Sequence, residues 1–280
     1  MLNIFRIIRH LVVGIAATLA IGVPLWFVIT AFGGKFDIWT PLDAFRHVRS
    51  YAGILLPAAA IAGVAALIVA VLFRVVFGSK NAPGAGGYIA GFAALAVGLG
   101  GILYAQQVRA MAAGVPPIHD ITTDFENPPG FTQALLDRRG PNSNPVGYEG
   151  KTVTDADWVD PHWAGRLLPG VQTEAYPDVR PVELDLPPQR AYALALDTAK
   201  DVGWTVTADS ERALSFEGTA ETFWFGFEDD VSVRVTPTED GGSRIDMRSI
   251  SRVGLSDLGA NAARLELYAE RLRERAGETG

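Results

Sequence analysis

Long uncharged stretches dominate the first part of the chain. The first of them, residues 11–32, would span roughly 33 Å as a helix rising about 1.5 Å per residue, which is the thickness of a bilayer core. A second stretch covers residues 51–74 and ends at Arg74, whose long side chain can reach the lipid headgroups, and a shorter third one covers residues 88–105. We therefore predict a transmembrane domain of three spans within residues 1–110.

Small residues recur at helical spacing inside these spans. Four alanines of the second span and two glycines at the start of the third repeat every fourth position, a spacing that lets helices approach closely. These are Ala58, Ala62, Ala66, Ala70, Gly87 and Gly91. The pattern favours packing among the three helices, and self-association and chance remain alternatives because Ala and Gly are abundant.

The hydrophobic period changes in the last hundred residues. An apolar stripe between Pro188 and Gly203 predicts a helix over 188–202. Alternating apolar residues then predict strands around 204–206, 214–216, 223–227 and 231–235, and another across a turn at 239–242. A final stripe predicts a closing helix with Ser256 as its N-cap.

These patterns together predict the fold class as α+β. The expected architecture is an N-terminal three-helix transmembrane domain followed, over residues 182–280, by a two-layer domain in which helices flank an antiparallel β-meander.

A proline-rich segment, residues 111–181, separates the two patterned regions. It holds 10 of the 17 prolines and shows no sustained period of 2 or 3.6 residues. It also carries six aromatic residues, which disordered linkers avoid. We therefore expect it to wrap the following domain and to bury its rings. Residues 223–225 offer aromatic side chains to both faces of a strand, so we expect one set to pack against the helices and the other to lie under this segment, with an apolar groove or the bilayer as alternatives.

Charge separates the two halves and narrows the functional classes. Residues 1–115 carry a net charge of +6 and residues 116–280 a net charge of −13, and the overall net charge of −7 argues against a general nucleic-acid binder. The chain has no cysteine, which excludes thiolate metal sites, cysteine nucleophiles and disulfides. We expect no cofactor and no resident metal.

The last two strands carry a polar stripe opposite their valines. Arginines there, together with groups at the start of the closing helix, could bind a carboxylate, a phosphate or a lipid headgroup. The alternative is a solvated cross-strand ladder of ion pairs. The candidate binding residues are Arg234, Asp246, Arg248, Arg252, Asp257 and Asn261.

A second functional class is a membrane-bound hydrolase. Its acid and base groups would be the carboxylates of Asp229 and Asp230 with His119 and Asp120. Catalysis would require these groups to converge in one cleft, and no nucleophile motif accompanies them. We assign no catalytic residue and favour a protein that is not an enzyme.

Three segments make a family resemblance visible. They are IHDITTDFENPPGF (118–131), FGFEDDVSVRV (225–235) and RIDMRSISRVGLSDLGANAARL (244–265), and the last is the most specific. They resemble the bacterial family named domain of unknown function 1499. The resemblance supplies no activity, and it implies a domain outside the cytoplasm because other members look exported or lipid-anchored.

That implication decides an orientation that the charges leave open. Counting basic residues beside the spans gives four on each side, so the positive-inside rule is balanced. Three spans place the two ends of the chain on opposite sides. We expect a multi-pass inner-membrane protein with a periplasmic C-terminal domain, acting as a binding or accessory module of the cell envelope. Its expected partners are the lipid bilayer and either a lipid headgroup or an envelope protein.

Overall fold

The three uncharged stretches form the first three helices of the computed structural model, which describes residues 2–278. These helices are α1 (Leu2–Lys35), α2 (Pro41–Val76) and α3 (Ala85–Gly114). Each is long and apolar enough to cross a membrane. Each helix extends beyond its predicted span at both ends, since the residues that flank the uncharged stretch are also helical. At the start of α2, for example, the Thr40 side chain accepts a hydrogen bond from Asp43 N and so caps the helix.

The described chain divides into two units. The first contains the residues up to Ala110 together with Trp224–Gly226, and the second contains the remainder from Met111 onward. In the first unit, small residues allow α2 and α3 to touch: a Cβ placed on Gly63 would lie 2.5 Å from Leu95 N. Ala66 and Ala94 are fully buried beside Ala16 of α1. The small residues therefore serve packing within this helical unit, as the spacing favours.

The second unit contains an antiparallel sheet of six strands. They are β1 (Asp120–Thr122), β2 (Val182–Leu184), β3 (Thr205–Ser210), β4 (Ser215–Glu221), β5 (Glu228–Pro237) and β6 (Ser243–Ser251). Their order is β1-β6-β5-β4-β3, and β2 also pairs with β6. The predicted meander is thus present as β3 to β6. The two short strands at its edge come from the proline-rich segment and from residues just after it.

Four helices complete this unit: α4 (Gln133–Arg139), α5 (Leu168–Ala175), α6 (Pro188–Asp201) and α7 (Ala260–Glu278). α6 begins at the predicted residue and ends one residue before the predicted end, and Gly203 follows with a φ of +85°. The α+β class and the helix-flanked antiparallel sheet are confirmed.

One face of the sheet is apolar and lies against α6 and α7. Val233 pairs with Met247 and Val235 with Ile245 in register, and all four side chains are buried. The fully buried Tyr268 of α7 donates a hydrogen bond of 2.8 Å to the carbonyl of Ala195 in α6. We refer to this side as the apolar face.

The predicted strand at 223–227 is wrong. Those residues form the turn between β4 and β5, where Phe225 and Gly226 both have positive φ and Thr222 N donates to Phe227 O. An antiparallel pair must reverse direction, and two left-handed residues cannot continue a strand. Phe223 is 66% exposed and Trp224 40% exposed, so the expected burial of these rings beneath the proline-rich segment is also wrong.

The start of α7 also differs from the prediction. Leu258 and Gly259 have positive φ, which keeps both residues out of the helix. The capping group is the carboxylate of Asp257, which accepts hydrogen bonds of 2.8 Å from Gly259 N and Asn261 N. Ser256 is therefore not the N-cap.

Candidate functional site

The strand register places the polar stripe on one side of the sheet. Asp120 and Asp230 both pair with Ile250, and in the next row Arg248 lies between Thr122 and Ser232. Because side chains alternate along a strand, these rows share the side opposite the apolar face. We call this side the polar face.

The proline-rich segment covers the polar face. Thr132 donates from its backbone N, at 2.7 Å, to the Glu217 carboxylate, and Ser232 donates at 2.7 Å to Gly130 O. Arg139 of α4 reaches down to Asp230. Asp230 is fully buried and Arg248 is 4% exposed, so the stripe is not a solvated ladder but a buried network bonded to the segment above it.

Asp120 and Arg248 form a bidentate ion pair in this network. Arg248 donates from Nε to Asp120 Oδ1 at 2.9 Å and from Nη2 to Oδ2 at 2.8 Å. Lys151 adds a contact of 3.0 Å to the same carboxylate, and Arg248 Nη2 also donates to Val146 O at 2.6 Å. Two cations therefore face one buried carboxylate, which leaves a net positive charge at this point.

The second buried carboxylate, Asp230, is also held by two arginines. Arg252 donates from Nη2 to Asp230 Oδ1 at 2.8 Å and from Nε to Oδ2 at 3.0 Å, and Arg139 binds the same group. Nearer the other end of the strands, Arg234 donates to Asp124 at 2.9 Å and lies 3.6 Å from Asp246. These arginines therefore donate their hydrogen bonds to carboxylates of the same domain.

Asp257 and Asn261 lie elsewhere, at the start of α7. Asn261 accepts from Ser249 at 2.6 Å and donates to Ser251 at 2.9 Å, and both serines lie on the apolar face. Burial raises the pKa of Asp257, although its two backbone hydrogen bonds oppose that rise. The six candidate binding residues are therefore divided between the two faces of the sheet.

The groups considered for a hydrolase are likewise divided. Asp229 faces α7 and pairs with Arg264 at 2.6 Å, whereas Asp230 lies on the polar face. His119 Nδ1 lies 3.4 Å from the carbonyl of Leu255, and burial followed by the charge of Lys151 lowers the pKa of this histidine. Within residues 2–278, no group of three or more His, Asp or Glu side chains is placed to hold a metal ion.

Among the six candidate binding residues, Arg248 lines an open cavity of this unit. The cavity has a volume of about 450 Å³ and is lined by Phe125, Glu126, Pro128, Tyr148, Glu149 and Arg248. A volume of this size is typical of a small-molecule pocket. Except for Arg248, the lining residues all come from the proline-rich segment.

Aromatic rings hold the Arg248 guanidinium in place. Its carbon lies 5.4 Å from the ring centre of Phe131 and 5.7 Å from that of Tyr148, and Phe125 stacks on Tyr148 at 6.4 Å. Among residues 2–278, neither Arg248 Nη1 nor the Tyr148 hydroxyl has a hydrogen-bond partner. Burial raises the pKa of Tyr148, so this hydroxyl stays protonated. The residues that line the cavity thus include an arginine whose Nη1 is unpaired within the described chain and two aromatic side chains.

The sequence indicates Arg248 as a candidate binding residue but does not indicate the other residues that line the cavity. The aromatic content of the proline-rich segment predicts that its rings are buried, and Tyr148 is buried while Phe125, Phe131 and Trp163 are partly so. Trp158 is 60% exposed and departs from that expectation. No local pattern indicates that two of these rings meet one arginine of a strand about one hundred residues later.

A family model described as "Protein of unknown function (DUF1499)" matches residues 120–272. The chain belongs to this family. The match begins at the first residue of β1 and ends within α7, so the DUF1499 domain includes most of the proline-rich segment, the whole sheet and the cavity. Comparison with curated proteins found no match.

Proposed function

We propose that this protein is a membrane-tethered binding module of the bacterial cell envelope, with its DUF1499 domain in the periplasm. The domain binds the anionic group of a lipid headgroup or of another envelope component in the cavity beside Arg248. The observation that carries the proposal is an arginine fixed by a bidentate ion pair and two rings, with one nitrogen, Nη1, still free to donate.

The arrangement of the carboxylates favours binding over hydrolysis. A general acid or base must reach the substrate, but Asp120 and Asp230 are fully buried and each is neutralised by two cations. Asp229 lies on the opposite face from them. The geometry therefore supplies a recognition group in an open cavity rather than a set of converging catalytic groups.

The topology is tested by fusing reporters to the C-terminus of the full chain. Alkaline phosphatase is active only after export. Green fluorescent protein fluoresces in the cytoplasm, but it does not fluoresce after export in unfolded form. We expect phosphatase activity without fluorescence. Fluorescence without phosphatase activity would place the domain in the cytoplasm and overturn the envelope assignment.

The binding site is tested with ethyl phosphate as the probe and the full-length protein in a neutral detergent. We expect saturable binding that Arg248→Lys weakens at least tenfold, because lysine keeps a charge beside Asp120 but loses the planar fork. Arg234→Lys is the matched control, since Arg234 lies on the same face outside the cavity. Equal binding by the Arg248 variant and wild type would remove the cavity as the site.

A further inference from the structure

The walls of the cavity carry both signs of charge. Arg248, whose Nη1 is unpaired within the described residues, lines the cavity together with Glu126 and Glu149. Both glutamates are exposed, and no hydrogen bond from the Glu126 or Glu149 side chain to any residue of 2–278 is present. An anion alone would gain from the arginine but would be repelled by the two carboxylates.

The aromatic side chains that line the cavity favour an organic ammonium group over a metal ion beside the glutamates. Phe125 and Tyr148 each directly precede one of the two glutamates in sequence and line the same cavity, and their rings are nearly parallel, at 10°. An ammonium group is attracted to ring faces as well as to carboxylates, and together these form the usual environment for amine and choline-type ligands. A bare metal ion would gain little from the rings.

The positive part of the lining has donors without a matching acceptor. Arg248 Nη1 and the buried Tyr148 hydroxyl are unused within residues 2–278, and Tyr148 is only 6% exposed. Arg248 Nη1 is available to an acceptor that enters the cavity, whereas the Tyr148 hydroxyl is enclosed by the domain. A phosphate or carboxylate oxygen is the acceptor that an arginine recognises best.

From these two halves we infer that the cavity takes a small zwitterion, with an anionic group at Arg248 and an ammonium group at Glu126, Glu149 and the rings. This inference rests on the proposed function and adds the amine to its ligand. The ammonium-bearing phosphate of a zwitterionic phospholipid headgroup and a free amino-phosphate share this chemistry.

The test compares two probes that differ only in the amine. O-Phosphoethanolamine and ethyl phosphate are titrated into the full-length protein in a neutral detergent, by calorimetry at low salt. We expect phosphoethanolamine to bind about tenfold more tightly, because it adds an ion pair and a ring contact to the same phosphate.

The glutamates are then removed without disturbing the core. In the double variant Glu126→Gln/Glu149→Gln, the preference for phosphoethanolamine should disappear while ethyl phosphate binds at least as well as before. Glu211→Gln/Glu239→Gln is the matched control, with two exposed glutamates at other turns of the same domain, and it should keep the preference.

The outcomes separate this inference from the proposed function. If ethyl phosphate binds in an Arg248-dependent way and the amine adds nothing, or if the control pair loses the preference equally, the zwitterion assignment is overturned and the anion site stands. If neither probe binds, both are overturned.

A last arm identifies the source of the ligand. Dihexanoyl phosphatidylethanolamine that binds more tightly than phosphoethanolamine supports a lipid headgroup, and weaker binding supports a soluble zwitterion. Dihexanoyl phosphatidylglycerol, which lacks the amine, should bind less tightly than its ethanolamine counterpart. If it binds equally, the zwitterion assignment fails.

Discussion

Both faces of the sheet in the DUF1499 domain contain buried side chains, but the two faces are stabilised in different ways. On the apolar face, Val231, Val233 and Met247 pack against helices whose hydrophobic stripe has a helical period. On the polar face, Asp120, Asp230 and Arg248 are covered by a segment with little regular structure. Burial on the first face needs only apolar surface, whereas burial on the second needs a specific partner for every charge.

This difference predicts opposite responses to substitution. Apolar contacts are spread over many atoms, so truncating one side chain costs its own transfer energy and the cavity left behind. The stabilisation from a buried ion pair depends on two or three groups, so removing one partner leaves the others as buried charges without a counter-ion. We therefore expect the most severe single effects on the polar face.

The largest effect is expected for Asp230→Ala, which leaves Arg139 and Arg252 buried without their shared counter-ion. The free energy of unfolding should fall by about 3–5 kcal/mol. The measurement is urea denaturation of the full-length protein in detergent, followed by near-ultraviolet circular dichroism. Asp201→Ala, at the exposed end of α6, is the control and should change stability by less than about 0.5 kcal/mol.

Leu265→Ala tests the apolar face by the same measurement. Leu265 is 1% exposed in the core between α7 and the sheet, and we expect a loss of about 3 kcal/mol. Leu267→Ala lies on the exposed side of the same helix and should cost well under about 1 kcal/mol. A loss for Leu265→Ala clearly greater than that for Asp230→Ala would contradict the contrast between the two faces.

Thr132→Ala tests how the proline-rich segment is fastened to the polar face. The Thr132 hydroxyl caps α4 at Leu135 N and donates to Glu217 Oε1 at 2.5 Å, so its loss should cost about 1–2 kcal/mol. Thr132→Ser keeps the hydroxyl and should restore most of that stability. Failure of serine to do so would mean that the methyl group rather than the hydroxyl matters.

His119 provides the smallest and most specific test, through pH. Its pKa in the folded protein is lowered below about 6.5, chiefly by burial, so the unfolded chain binds a proton more readily than the folded chain. Stability should therefore fall as pH drops from about 7 through the folded pKa.

The corresponding variant is His119→Gln, which cannot titrate. The urea midpoint of the variant should vary less with pH than that of wild type over this interval. Above about pH 8, the urea midpoints of the two proteins should change with pH to nearly the same extent. Identical pH profiles would show that His119 takes no part in this acid sensitivity.

Regular periods explain how much of this structure was predictable. The three apolar stretches, the stripe of α6 and the alternation in β5 and β6 each reflect a local rule that holds whatever surrounds them. The errors fall where backbone geometry overrides composition. Phe225 and Leu258 have positive φ, a conformation that aromatic and aliphatic residues rarely adopt and that no hydrophobic pattern indicates.

The candidate site was predicted only in part for a related reason. Alternation along β5 and β6 placed Arg234 and Arg248 on the same face correctly, because that depends on strand geometry alone. Which arginine stays available depends on partners far along the chain, such as Arg139 for Asp230 and Lys151 for Asp120. No spacing rule connects those pairs.

The sequence by itself determined the three apolar helices, the α+β class and the alternation that separates the two faces, since these follow from side-chain period and burial. The tertiary structure alone decided that the proline-rich segment covers the polar face, and that Arg248 borders a cavity with Tyr148 and Phe125. The physical reason is the separation along the chain over which each effect acts. Periodicity is set by neighbours within a few residues, whereas the pairing of buried charges is settled only when distant segments compete for the same partner.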